Sequence, residues 1–460
     1  MQGTIAIDTV PVIDARIAAG TTGRFGHPKG LFYLAFTEAW ERFSFYGMSA
    51  LLVLYMVDQL LLPGHAEHVG GLAALRAQLE AVLGPLSSQA FASQIFGLYS
   101  GLVYFTPLLG GAIADRWIGQ RNAVVLGALL MAGGHIAMAF DGSFLAALAL
   151  LIGGSGFLKG NIAAQVGALY AHDDEARRAR GYMIFSTGIN IGGSLGSLLC
   201  GLLAQLYGWH FGFGVAAVFM LLGVATYLSG YRYLPARVER VRGAATQQRL
   251  TAAEWRIVLT LIVIMAITVF QSAATYQLFN VLPVWAQGHV DRGIAGFQIP
   301  VPWFLSINSV ASIVGVPLLF WWWRRRRREP DDLQKIGIGA WLAALSNLVL
   351  VGAIYAAGDA PVNAFWPILY SVGLGIAFLY YWPTLLALVS RAAPPRVNAT
   401  LMGLAYMGLF ASNVAIGWLG GFYERLGPAA FWAMHAAIAA AGGVLILLFG
   451  RRITRVLQTA

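Results

Sequence analysis

The stretch 31-LFYLAFTEAWERFSFYGMSALLVLYMVDQLL-61 is long and apolar enough to cross a lipid bilayer, yet it holds Glu38, Glu41 and Arg42 about one helical turn apart. A charge at the middle of a spanning helix costs roughly 2.5 to 3.5 kcal/mol on insertion scales, so three together are expected to serve a purpose. At about 100° per residue, positions 38, 41, 42, 45, 46 and 49 share one face, which turns the charges and Tyr46 the same way. That face is expected to line a protein interior or an aqueous cavity.

The rest of the 460 residues is of the same kind: 58% are hydrophobic and 11% charged, where a soluble domain carries about 25% charged residues. Apolar runs recur at the length that a hydrocarbon core of about 30 Å demands. The pattern predicts an all-α membrane protein with twelve transmembrane helices. They are centred in Gly30 to Leu61, Gln89 to Ala114, Asn122 to Phe140, Phe144 to Tyr170, Gly181 to Leu206, Phe211 to Tyr231, Arg256 to Trp285, Pro302 to Trp323, Ile336 to Ala357, Ala364 to Ser390, Thr400 to Tyr423 and Ala429 to Phe449. Arginines crowd the even-numbered loops: Arg116 and Arg121, then Arg177, Arg178 and Arg180, then Arg237, Arg240, Arg242 and Arg249. Arg324 to Arg328, Arg391 and Arg396 continue the series, and Arg451, Arg452 and Arg455 close it, whereas the odd loops hold Arg76, Arg292 and Arg425. The positive-inside rule therefore predicts a multi-pass protein of the cell's inner membrane with both termini cytoplasmic.

The expected organisation is a cytoplasmic tail over 1–27, a six-helix bundle over 28–233, a polar linker over 234–252 and a second bundle over 253–460. The linker is too short for an extra hairpin between the halves. The tail lacks the continuous apolar core of a secretory signal. The segment from Gly64 to Gln89 places Leu72, Leu75, Leu79, Val82 and Leu83 at helical spacing, which predicts an amphipathic helix on the outer surface. In the fifth span, Gly192, Gly196 and Cys200 form a stripe of small residues that allows close helix contact.

Several function classes drop out. The single cysteine, Cys200, allows neither an intrachain disulfide nor a cysteine metal cluster. The net charge of +10 sits in loops, so it marks topology and no nucleic-acid partner is expected. There is no Walker loop, HExxH or GxSxG, so the chain is expected to be neither an enzyme nor an ATP-driven pump, with no catalytic residues, metal or cofactor. His135 and His435 read as packed, hydrogen-bonded imidazoles.

The segment 38-EAWERFSFYG-47 resembles the ExxERFxYYG motif of the proton-dependent oligopeptide transporter family, a branch of the major facilitator superfamily. The segment 110-GGAIADRWIGQR-121 is similar to that family's loop between the second and third helices, and 154-GSGFLKGNIAAQVGALY-170 to its lysine-bearing fourth helix. Its fifth- and eighth-helix signatures resemble 185-FSTGINIGG-193 and 302-PWFLSIN-308. The resemblance implies the superfamily fold, with two six-helix bundles around a central cavity. It also implies proton-coupled import of di- and tripeptides by alternating access, with protons, peptide and the lipid bilayer as partners and a monomer as the working form.

The resemblance assigns proton coupling to Glu38, Glu41, Arg42 and Lys159, with Lys159 facing Glu41 across the cavity. Substrate contacts are expected from Arg42, Lys159, Tyr46, Tyr104, Asn190, Asn308, Gln271 and Trp382, with Tyr380 and Tyr381 as further aromatic faces for a cation. Asp115 and Arg116 resemble the cytoplasmic latch between the second and third helices. Plainer readings stand beside these: a Glu38–Arg42 staple within one helix, a Lys159 that snorkels to the interface and a surface pair at Asp115 and Arg116.

The departures matter as much. Phe45 replaces the first of the paired tyrosines, Gly160 the proline after the lysine, and Ala405 the tryptophan of the eleventh helix. Ser49 and Gln271 replace an arginine and a glutamate that form an outer ion pair in relatives, and losing both leaves neither charge stranded. Phe378 stands where the family's glutamate helps hold a peptide amino group, and Trp382 replaces a serine before Pro383. The same fold carrying nitrate, another carboxylate or a modified amino acid is therefore a second reading, and a non-transporting peptide sensor a third.

Overall fold

A computed structural model of the chain describes residues 26–171, 174–235, 250–326 and 329–458. Most of the predicted tail, Arg237 to Arg249 of the linker, and Arg327 and Arg328 lie outside the described residues.

The N-terminal half contains α1 (Lys29–Tyr55, prolonged by a wider turn over Met56–Leu60), α2 (Leu72–Leu83), α3 (Ser88–Ile113), α4 (Gln120–Ala137), α5 (Phe144–Ala168), α6 (Glu175–Tyr207) and α7 (Trp209–Gly230). The C-terminal half contains α8 (Ala252–Thr275), α9 (Gln277–His289), α10 (Trp303–Arg326), α11 (Asp332–Ala357), α12 (Phe365–Ala392), α13 (Asn398–Gly420), the short α14 (Tyr423–Leu426) and α15 (Pro428–Gln458). By length and composition, 11 segments among the described residues can cross a membrane, α8 and α9 together making one. The twelfth is α4, which fills the expected third position but is shorter, and Gln120, Arg121, Asn122 and His135 dilute its apolar content.

Local signals explain several boundaries. Reciprocal capping boxes start α8, through Thr251 and Glu254, and α11, through Asp331 and Gln334. The outer helix α2 forms as its leucines predict and is bracketed by Gly71 at φ 80° and Gly84 at φ 78°, a backbone region that side chains disfavour. Leu75 and Leu79 rest on the N-terminal core, but Val82 points away and is 83% exposed. Arg76, lying over the Phe91 ring, pairs with Glu80 at 2.9 Å and holds that carboxyl below its usual pKa. The predicted seventh span is interrupted at Tyr276, where α8 gives way to α9. No glycine or proline stands at the break; Thr275 Oγ1 donates to Gln271 O at 2.9 Å, a back-bond that bends helices.

Packing follows the small residues. A Cβ at Gly188, Gly192 or Gly196 would run into the carbonyl oxygens of Ala35, Ala39 and Phe43, so α6 lies directly on the backbone of α1. Gly47 answers from α1, facing Cys200. Tight contact also joins α4 to α5 at Gly127, Gly134 and Gly154. His135 is fully buried there, but neither ring nitrogen has a hydrogen-bond partner, which corrects the bonded imidazole expected. His435 does pair, through Nδ1 and Phe431 O at 2.9 Å. One continuous core serves the N-terminal half. The C-terminal half has two, one around Trp285, Phe304 and Trp432 and one around Leu261, Ile336 and Val389.

The halves meet at the end away from the arginine-rich loops. Gln89 donates to Gly420 O (3.3 Å), Trp303 Nε1 to Leu198 O (3.0 Å), Ser306 Oγ to Ser194 O (3.0 Å) and Gln205 to Gln298 O (2.8 Å). Gln287 adds a bond to Asp58 at 2.7 Å, and Gly97 of α3 lies against the backbone of Asn413 and Gly417. A two-residue parallel pairing of β1 (Val290–Asp291) with β4 (Val362–Asn363) and a hairpin of β2 (Gly293–Ile294) and β3 (Phe297–Gln298) finish this end. Toward the arginine-rich end the facing surfaces part: Gly111 and Gly403 have open space beside them, and Leu108 is 57% exposed.

This packing predicts that Gly192→Leu, forced against Ala39 O, destabilises the bundle by about 1–3 kcal/mol, the usual range for overpacking. The readout is a lower Tm of the detergent-solubilised protein. Gly214→Ala, inside α7 where nothing stands within 4 Å, should not lower Tm, since alanine suits a helix interior better than glycine.

Candidate functional site

Because one face of α1 is pressed onto α6, another is left for the charges. Arg42 Nε lies 2.9 Å from Glu38 Oε1, to which it donates, and 2.6 Å from Glu41 Oε2. Glu38 is 4% exposed, Glu41 0% and Arg42 9%. Neither Glu38 Oε2 nor either oxygen of Glu41 accepts a hydrogen bond. One guanidinium therefore serves two buried carboxylates on its own helix, and ionising both leaves one negative charge to be balanced from elsewhere.

The nearest further cation is Lys159 on α5. The resemblance implied that it faces Glu41; it stands within electrostatic range of Glu41 and Glu38, and among the described residues it forms no ion pair. Its Nζ instead lies 4.3 Å from the centre of the Phe45 ring and 5.4 Å from that of Tyr104. The cause is local: Glu41 is already held by Arg42, and Phe45, one turn on, offers its ring to both cations, with Arg42 at 5.5 Å. Aromatic faces attract a desolvated cation, and unlike a carboxylate they leave its charge uncancelled.

The other predicted residues divide into groups. Tyr46 and Tyr104 join the cluster, Tyr46 edge-on to Phe45 and 6.1 Å from Phe279 of α9, with room left for its ring by Gly193. On the C-terminal half Trp382 packs at 5.4 Å on Tyr406, which stands within electrostatic range of Arg42. The amide of Asn308 is engaged by Ser371 O at 3.1 Å, and Asn190 is exposed on α6. Gln271 is not brought to the cluster: it is 1% exposed, its amide unpaired and next to Gly339 of α11. Tyr381 is fully buried, bonded to Ser272 at 3.0 Å, and Tyr380 lies edge-on to Trp323 on the far side of α12. Asp115 accepts from Gln120 at 3.0 Å, and Arg116 lies over the ring of Trp117.

Sequence reasoning missed Tyr276, Phe279 and Tyr406. Tyr276 stands at the break between α8 and α9 and Phe279 just beyond it, with ring centres 6.1 Å apart, and the two bring the C-terminal half up to Tyr46. Their spacing of three along one helix was the available signal, but aromatic residues in apolar spans usually serve packing.

The chain is similar to known proteins over most of its length. The sequence profile of the Major Facilitator Superfamily matches residues 34–417. An uncharacterised transporter, YclF, of Bacillus subtilis is 30% identical, the alignment covering 93% of this chain and 94% of that one. The peptide transporter YePEPT of Yersinia enterocolitica is 29% identical, over 92% of this chain and 94% of its own. A crystal structure of a peptide transporter in complex with alafosfalin superposes with a TM-score of 0.83 at 29% identity, covering 96% of this chain and 99% of that one.

The shared guanidinium makes a clear prediction. Arg42→Met strands two buried carboxylates and should destabilise the protein by about 3–5 kcal/mol, read as a fall in Tm. Adding Glu38→Gln and Glu41→Gln to that variant should restore most of the loss.

Proposed function

The chain belongs to the Major Facilitator Superfamily and, within it, to the proton-dependent oligopeptide transporters, and on that premise we propose that it imports di- and tripeptides together with protons by alternating access. The reading rests on one observation above the rest: two buried carboxylates compete for Arg42 beside a lysine that stands within their electrostatic range but pairs with neither. A proton on Glu38 or Glu41 removes one claim on the guanidinium. Arg42 and Lys159 are then both open to a substrate carboxylate, and charge-assisted bonds are the strongest such a cavity can offer. When the proton leaves, the freed carboxylate reclaims its cation and displaces the substrate.

In this mechanism Tyr46 and Tyr104 hydrogen-bond the peptide near its carboxyl end, and Trp382 presents an aromatic face to its ammonium end, where Phe378 supplies no charge. Asn190 and Asn308 border the path, Gln271 supports the C-terminal half from behind, and Asp115 and Arg116 tie α3 to α4 at the gate. The arginine-rich loops face the cytoplasm, which makes the arrangement described above an inward-facing one, closed to the outside. Both termini are cytoplasmic, 28–233 and 253–460 are the moving halves with 234–252 linking them, and a monomer in the cell membrane is sufficient for transport.

In proteoliposomes under an imposed pH gradient, Glu41→Gln should abolish accumulation of a labelled dipeptide while sparing exchange between equal concentrations. Unimpaired accumulation by that variant would sink the coupling mechanism. Lys159→Gln should raise the dipeptide KM about tenfold or more, the usual weight of a hydrogen bond to a charged group. If unlabelled dipeptides fail to compete for uptake and nitrate or a simple carboxylate succeeds, the substrate is the other solute.

A further inference from the structure

A groove outside the transport pathway runs up the flank of the C-terminal half at its arginine-rich end, with a volume of about 1300 Å³ between α10, α11 and α15. Its deep wall is apolar, with Ile338 and Trp341 on α11 and Ile446 and Leu447 on α15. Its mouth is basic, with Arg326, Arg451 and Arg455. The order is the same on both helices that end there: Trp322 lies one turn deeper than Arg326, and Leu447 about 12 Å deeper than Arg455 at 1.5 Å per residue.

Two of the charges at the mouth, Arg326 and Arg451, form no ion pair among the described residues. Asp331, the acid among the groove's lining residues, is engaged as the cap of α11, accepting from the Gln334 backbone at 2.8 Å. Glu329, nearby, is paired with Lys335, whose ammonium lies 4.8 Å over Trp323. Arg326 holds its guanidinium carbon 4.4 Å from the centre of the Trp322 ring, and an aromatic face leaves its charge uncancelled. Arg451 is exposed and makes no hydrogen bond or ion pair among the described residues. Below them Leu447 is 70% and Leu448 66% exposed, so the apolar depth opens sideways to where acyl chains lie.

We propose that this groove binds an anionic phospholipid from the leaflet on the arginine-rich side, its phosphate between Arg326 and Arg451 and an acyl chain along Trp341, Ile446 and Leu447. Guanidinium pairs suit phosphate oxygens. The apolar wall below the mouth is of no use to a soluble anion. A zwitterionic headgroup would bring its ammonium to a rim where the nearby carboxylates are already engaged. Basic pockets between spanning helices at the cytoplasmic surface take acidic headgroups on the same physical grounds. The assignment stands apart from the identity of the transported solute.

Native mass spectrometry in micelles doped with phosphatidylglycerol and phosphatidylcholine of matched acyl chains tests it. The unmodified protein should retain phosphatidylglycerol preferentially, and Arg326→Gln with Arg451→Gln should cut that retention roughly tenfold. Arg178→Gln with Arg180→Gln, an equal loss of charge at the same end of the other half, should leave it intact. Equal retention by the groove variant, or an equal loss in the control, would overturn the site. Displacement of the bound species by glycerol 3-phosphate alone would make it a soluble-anion site and overturn the lipid assignment.

Discussion

Two carboxylates divided over one guanidinium, in a part of the protein that water barely reaches, set the terms for everything around them. Such a cluster is a poor source of stability, because taking three charges out of water costs about as much as their attraction returns. Its value is that it is one positive charge short. Glu38 and Arg42 are one helical turn apart and Glu41 is adjacent to Arg42, so all three stay on one short stretch of α1 whichever partner the guanidinium takes. What can change is the number of protons and the position of outside cations and anions. The glycine stripe of α6 strengthens this constraint: α1 rests on it backbone to backbone and has little freedom to slide as its charges change. Adjustment must then come from side chains and from the other half.

The C-terminal half is built for that response. Its apolar packing is divided, with one cluster near the outer seam and another near the arginine-rich end. Between them lie the polar residues Gln271, Ser272 and Thr275 and the interruption at Tyr276. A helix in two pieces can tilt one against the other, and Tyr276 and Phe279 carry that joint to Tyr46 on the charged helix.

Most of the fold was legible because its determinants are one-dimensional. Span length is set by bilayer thickness, and reading it needs no three-dimensional knowledge. The features that escaped depend on depth or partners. The break at Tyr276 has no glycine or proline to announce it, and Val82 obeys the leucine spacing of α2 yet faces away. At the site, the charges on α1 declared themselves through their cost in a membrane. That Lys159 would rest on Phe45 and Tyr104 was not visible, since residues far apart in the chain decide which partner wins. Gln271 could be aligned but not placed, because alignment does not say which side of a helix faces its neighbour. His135 was read with a bonded ring, yet the close α4–α5 contact surrounds it without a partner.

The outer seam is fastened largely by side chains that reach main-chain oxygens, at Ser194, Leu198, Gln298 and Gly420. A carbonyl released from such a bond is at once satisfied by water, so each link holds by only about 0.5–1.5 kcal/mol net. One hydrogen ion falling through a potential of 100 mV yields about 2.3 kcal/mol. Closure and driving force are thus of the same order, as in a zip that a single pull can run either way. Since every residue offers the same carbonyl, the teeth on one side survive almost any change of side chain.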